Sequence, residues 1–218
     1  MTAPTSLPMY EKGLSRMRRA FAFAVVAAAV AGCALAPREA PVKHTFLLDP
    51  AMPRPVAQAR PQALRVGTVN VSVSFRGKSF VVRSSAFGYE SDYYDEFFVP
   101  PSQMLAEATT AALTASGVFR RVAPPGAAVD DADYVLDGFA SELYADLSDP
   151  ANPVAVITIT YYLSAPDGRG VVWSKEYSQR VGYGGGDPAA LARAWSKGLS
   201  AIFAELARDL VAAKLPAS

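Results

Sequence analysis

The dipeptide Asp167-Gly168 stands between two long runs of β-forming residues, Val154–Leu163 and Val171–Val181, and it constrains the fold more than any other feature. Asp-Gly takes the positive-φ positions of a tight turn at little steric cost. Pro166-Asp167-Gly168-Arg169-Gly170 therefore predicts a hairpin whose two strands are antiparallel neighbours. The first run is rich in β-branched and aromatic side chains. The second alternates Val172, Ser174 and Glu176 against Trp173, Lys175 and Tyr177, as a strand with two unlike faces does.

Further strands surround this ribbon. Leu64–Val73 alternates apolar and polar residues, and Phe80–Arg83 follows the turn-prone Arg76-Gly77-Lys78. Val118–Val122 and Asp133–Phe139 have the same character. A first helix is opened by Ser102 or by Pro100-Pro101 and runs to about Ser116, ended by Gly117. Leu105, Ala108, Ala112 and Ala115 give it a face small enough for close packing. In the second helix Asp187 is the cap and Pro188 suits the first turn, while Leu191, Trp195, Leu199, Ile202, Leu206 and Leu210 share one face. The order strands, helix, strands, helix predicts an α+β domain with two helices packed on a mostly antiparallel sheet.

The N-terminus carries an address. Arg16, Arg18 and Arg19 precede an apolar run, Ala20–Ala31, which closes on Val30-Ala31-Gly32-Cys33. A basic stretch, an apolar stretch and small residues before a cysteine resemble a bacterial lipoprotein signal peptide. The run is about a dozen residues against the ~20 that span a bilayer, so it reads as a cleaved segment rather than a permanent span. Translation from Met17, rather than Met1 or Met9, would make residues 1–16 an extension. The expected division is a signal peptide over 1–32, a lipidated, proline-rich tether with one short strand over 33–62, and an α+β domain over 63–218. Pro37, Pro41, Pro50, Pro53, Pro55 and Pro61 give the tether its character. The short strand falls at His44–Leu48, and His44, the only histidine, has no evident partners for a ligand or base role.

Cleavage between Gly32 and Cys33 leaves 186 residues with 17 basic and 19 acidic side chains, a balance that attracts neither nucleic acid nor other polyanions. Cys33 is the only cysteine, which excludes a disulfide framework. Once lipidated it leaves no thiol for catalysis or metal binding. Resemblance to bacterial lipoproteins implies a diacylglycerol thioether on its sulfur and an N-acyl chain such as palmitate on its amino group. Ala34 follows it, where Asp usually marks inner-membrane retention, so outer-membrane sorting facing the periplasm is expected.

Two segments invite a chemical reading. Gly182-Tyr183-Gly184-Gly185-Gly186-Asp187 precedes a helix N-terminus, where amides can cradle phosphate, but it lacks the Lys-Ser/Thr of a P-loop and the spacing of a dinucleotide fingerprint. Tyr89–Phe98 sets Glu90, Asp92, Asp95 and Glu96 among Tyr89, Tyr93, Tyr94, Phe97 and Phe98. Three readings stay open for it: a calcium or acid–base site, which lacks the EF-hand pattern; an edge or loop whose aromatics pack on the sheet; and a partner contact, since interface centres favour Tyr and Phe. No nucleophile elbow, zinc-protease motif or Cys/His cluster is present, so neither catalytic residues nor a metal site are assigned.

Taken in order, these pieces resemble the ABC-type transport auxiliary lipoprotein family, the group that includes the lipoprotein of the paraquat-inducible Pqi system. The resemblance rests on Val30-Ala31-Gly32-Cys33, Phe46-Leu47-Leu48, Leu64–Val71, Phe80–Arg83 and Tyr89. It continues with Phe98-Val99-Pro100 opening a helix with Leu105, then Gly117-Val118-Phe119, Ala132–Leu136 and Ala194-Trp195-Ser196. Phe98 stands where the family has Trp. The resemblance implies a non-enzymatic role beside an ABC permease, an ATPase and a periplasmic MCE-domain protein that move lipid across the envelope, with a homo-oligomer compatible with such partners. Its only cofactor would be the covalent lipid on Cys33. A lipid carrier holding cargo between sheet and helices is the alternative. A lipoprotein enzyme using Asp92, Asp95 and Glu96 is a further one.

Overall fold

The computed structural model describes residues 42–127, 132–165 and 170–216. The signal segment, Gly32, Cys33 and the turn residues 166–169 lie outside the described residues. Strands β7 (Val154–Ala165) and β8 (Gly170–Gly182) form the ribbon expected from Asp167-Gly168, antiparallel from Val154↔Gly182 to Ala165↔Gly170. On the other side of β7 lies β6 (Tyr134–Asp146), antiparallel over nearly its whole length.

Beyond β6 the sheet forks. Residues Tyr134–Ala140 of β6 pair with β2 (Arg60–Val71), whereas Ala145 and Asp146 pair with β3 (Ser79–Arg83). β6 is longer than the stretch β2 covers, so its remaining edge is free for β3. Strand β5 (Phe119–Ala123) extends the β2 branch. On the β3 branch come β4 (Tyr89–Phe97) and then β1 (His44–Phe46).

The α+β class with two helices is as expected, and the sheet, expected to be mostly antiparallel, is mixed. Among the described residues β3·β4, β6·β7 and β7·β8 are antiparallel, and β1·β4, β2·β5, β2·β6 and β3·β6 are parallel. The reason is connectivity. After β2 the chain makes the β3–β4 hairpin and returns through helix α1 (Pro101–Ser116), so β5 runs in the direction of β2; such crossovers give parallel neighbours.

Helix α1 packs on β2 and β5, and α2 (Pro188–Ala212) on β7 and β8. Tyr161 of β7 meets Thr109 of α1, and Ile157 of β7 lies against Gly198 of α2. Residues four apart on a strand point the same way, so both helices cover one face. A side chain at Gly198 would place its Cβ 3.2 Å from Ile157 Cγ2 and 3.3 Å from Gln179 Cβ; glycine lets α2 lie close to the sheet. Asp187 caps α2 by accepting the Ala189 N–H at 2.8 Å, and all six residues expected on its apolar face are buried. The α1 face is rotated from the one expected. Met104, Thr109 and Leu113 are buried beside Leu105 and Ala112, while Ala108 is half-buried and Ala115 exposed.

The core between helices and sheet is filled by large side chains. Trp195 is fully buried, donates its indole N–H to the Val156 carbonyl at 3.1 Å, and packs edge-on against Phe80 with ring centroids 5.0 Å apart. Residues 47–59, within the segment expected as a tether, run as a strap against α2. Leu48, Pro50 and Pro53 are buried, and the N–H groups of Asp49 and Ala51 donate to Ser196 Oγ and Ser200 Oγ at 3.0 and 2.8 Å. Among the described residues no helix is long and apolar enough to cross a membrane.

Candidate functional site

The aromatic and acidic segment becomes strand β4, and its geometry decides what it can do. Opposite β3, Val81 pairs with Ser91 but Ser79 pairs with Glu96, so residues 92–95 bulge out. Asp92 holds the bulge by accepting the N–H groups of Tyr94 and Asp95 at 2.7 and 3.0 Å, the local bond that short acidic side chains make in turns. The bulge turns Tyr93 and Tyr94 outward, their rings perpendicular at 5.2 Å, with the Lys43 ammonium 4.9 Å from the Tyr93 ring centroid.

The four carboxylates do not converge. Asp92 serves its own backbone, Asp95 faces His44 Nδ1 at 3.1 Å, Glu96 bridges Lys43 and Lys78 at 3.4 and 3.5 Å, and Glu90 accepts from Ser84 at 2.9 Å. Among the described residues no group of three or more His, Cys, Asp or Glu could hold a metal.

The five aromatics expected to act together are also separated. Tyr93 is 67% exposed, while Tyr89 and Tyr94 are about half exposed. Tyr89 packs edge-on against Tyr144 at 5.6 Å. Phe98 lies past the far end of β4, its N–H bonded to the Phe46 carbonyl at 2.9 Å. Phe97 corrects the expected set. Strand alternation points it inward, 2% exposed, against Phe80 at 4.7 Å and Trp195 at 5.4 Å, so it is unavailable to a partner.

Sequence reasoning missed Phe87. It occupies the β3–β4 turn at 97% exposure, and the signal was there in Ser84-Ser85-Ala86-Phe87-Gly88, one bulky apolar residue among small turn formers. It also missed a charge cluster at the same end of the sheet. Asp146, which ends β6, receives Arg180 Nη2 at 2.8 Å, Ser148 Oγ at 2.6 Å and, more distantly, Arg83 Nη1 at 3.7 Å. Burial alone would push the Asp146 carboxyl up; the Ser148 and Arg180 hydrogen bonds outweigh it and bring the carboxyl down to about 2.

The glycine-rich loop gives no anion cradle. The Asp187 carboxylate already sits at the α2 N-terminus, held by Ala189 N–H and by Arg193 Nη2 at 3.0 Å. The cavities are grooves on the surface. One of about 600 Å³ lies between the strap and α2, lined by Leu47, Asp49, Arg193 and Lys197. Another, of about 410 Å³, lies between β2 and the start of α1.

The sheet forks, two helices cover one of its faces, and the four carboxylates of β4 are engaged separately. The family model for the ABC-type transport auxiliary lipoprotein component matches residues 46–207, and the chain belongs to that family. Protein XCC0632 from Xanthomonas campestris, of the DUF330 family, has the same fold: TM-score 0.68, 20% identity, with 77% of this chain and 95% of that chain covered. An uncharacterized protein of known structure superposes with TM-score 0.58 at 16% identity, covering 78% and 99%. A lipoprotein from Neisseria meningitidis covers 70% of this chain and 99% of its own at 16% identity, with TM-score 0.38. No curated protein sequence matches the chain.

Proposed function

We propose that this chain is the lipid-anchored, non-catalytic component of an ABC-type envelope transporter that moves lipid. Acyl chains on Cys33 would hold it at the outer membrane, facing the periplasm, where it docks an MCE-domain protein served by an ABC permease and ATPase. The observation that carries the reading is the family match across 46–207, over a domain in which the four carboxylates of β4 are engaged separately and do not converge. ATP hydrolysis then belongs to a partner, and this chain contributes shape and attachment. The filled core around Trp195, Phe203 and Tyr161 favours docking over carriage of a lipid between sheet and helices.

The test is affinity capture of the full-length protein from detergent-solubilised membranes, followed by identification of what is recovered. Co-purification of an MCE-domain protein or an ABC permease is the expected result. Recovery of the lipoprotein without either, under detergents that keep the permease and ATPase together, refutes the docking role.

A further inference from the structure

Val42, Phe87, Tyr89, Tyr93 and Tyr94 are large apolar side chains exposed at one end of the sheet. β4 starts at this end, and β3 finishes there, with the turn bearing Phe87 between them. Strand β1 runs parallel to β4, so the chain enters the fold from the same end, and Lys43 lies over the Tyr93 ring. A single exposed apolar residue needs no explanation, but five gathered where the polypeptide enters do.

We infer that this end of the domain rests on a phospholipid bilayer, with Phe87 inserted among the headgroups and Tyr93 and Tyr94 lying at their level. The inference rests on the Cys33 anchor of the proposed function. The contact surface expected from the aromatic content of β4 thus receives a lipid partner rather than a protein. Eight residues lie between Cys33 and Val42, and a fully extended chain over those nine steps reaches about 30 Å. A domain of this size is about 40 Å across, so so short a link favours the end carrying Val42 as the one nearest the bilayer. Tyrosine suits that depth because its ring is apolar and its hydroxyl is wet.

Charge selects the kind of bilayer. Lys43 and Lys78 share Glu96, Arg83 and Arg180 share Asp146, and Asp95 faces His44. Glu90 and Asp92 add negative charge beside them, so among the described residues no net basic cluster is left at this end to seek anionic lipid; the surface fits zwitterionic headgroups and its contact resists salt.

Lipidation removes the only cysteine from thiol chemistry, so introduced cysteines become unique labelling sites. The full lipoprotein carrying Phe87→Cys, Tyr93→Cys or Val171→Cys is labelled with an environment-sensitive maleimide and reconstituted into phosphatidylcholine–phosphatidylethanolamine vesicles. Val171 is the control, exposed at the opposite end, where β8 begins. Headgroup-depth nitroxide lipids should lower emission at positions 87 and 93 about twofold or more and leave position 171 unchanged, in low and high salt alike. Equal quenching at all three positions, or quenching at 171 alone, overturns the inference and assigns the aromatic end to a protein. Failure of the anchor itself reads differently: the unsubstituted protein then takes up maleimide on Cys33, which removes the geometric premise as well.

Discussion

Arg60 closes a helix to which it does not belong. The last turn of α2 contains no basic residue, yet Arg60 at the start of β2 donates Nε to the Leu210 carbonyl at 2.8 Å and Nη2 to Val211 O at 3.1 Å and to Ala213 O. These carbonyls are among the four that every helix leaves without an internal partner, and the guanidinium also meets the negative end of the helix dipole. In Arg60→Ala the exposed carbonyl regains water, whereas the two part-buried ones lose a charge-assisted donor. One such bond contributes ~1.5–3 kcal/mol, and the dipole adds under ~1 kcal/mol. A net loss of about 2–3 kcal/mol follows, which for a domain of this size lowers Tm by about 5–10 °C in a thermal melt. Arg60→Lys restores the point charge without the fork and should recover about half. Hydrogen exchange localises the effect: amides in the final turn of α2 should exchange about 30-fold faster. A melt of Arg60→Ala within about 1 °C of the parent, or a fall in Tm with exchange in that turn unchanged, refutes the capping argument.

Three further outcomes follow from buried contacts. Because the folded-state pKa of Asp146 is lowered from 3.8 to about 2, its contribution is complete above pH 4 and disappears as pH falls through that interval. Urea titrations should therefore show the parent more stable than Asp146→Asn by up to ~2 kcal/mol near pH 5, with the gap closing toward pH 2; a constant gap contradicts the linkage. Thr109 donates to the Leu105 carbonyl and receives the hydroxyl of fully buried Tyr161 at 2.9 Å, so Thr109→Val should cost ~1–3 kcal/mol and Tyr161→Phe in that background should recover most of it. Trp195→Phe removes the donor to Val156 O and part of the packing against Phe80 and Phe97, an expected loss of ~2 kcal/mol by chemical denaturation.

Where the sequence was explicit, local rules carried the information. The Asp187 cap and the spacing from Leu191 to Leu210 describe α2 as it stands, because a helix is read from its own residues. Helix α1 was less legible because Thr109 looks polar on a helical wheel, and only the distant Tyr161 hydroxyl makes its burial favourable. The parallel pairings of β2 escape a sequence reading for a related reason. Alternation in Leu64–Val73 shows which residues face inward but carries no address for the neighbour. Prolines at 50 and 53 suit a tether and a strap equally, since a residue without an N–H can lie on a protein surface and leave no donor unmatched. For the site, composition marked β4 correctly as unusual. The bulge at residues 92–95, which separates Tyr93 and Tyr94 from buried Phe97, depends on register with β3.

The strap has a mechanical consequence. Strand β1 enters parallel to β4 and is held over only three residues, His44–Phe46, and behind it the Asp49 and Ala51 amides hang on two serine hydroxyls. Under the proposed Cys33 anchor, tension against a partner gripping the domain would load β1 in shear along its axis, then peel the strap from α2. The β2–β5 branch and the β7–β8 ribbon lie off that load path. Peeling residues 42–59 would free about 60 Å of extended chain while the core stays folded, giving the attachment a reserve of length released by force.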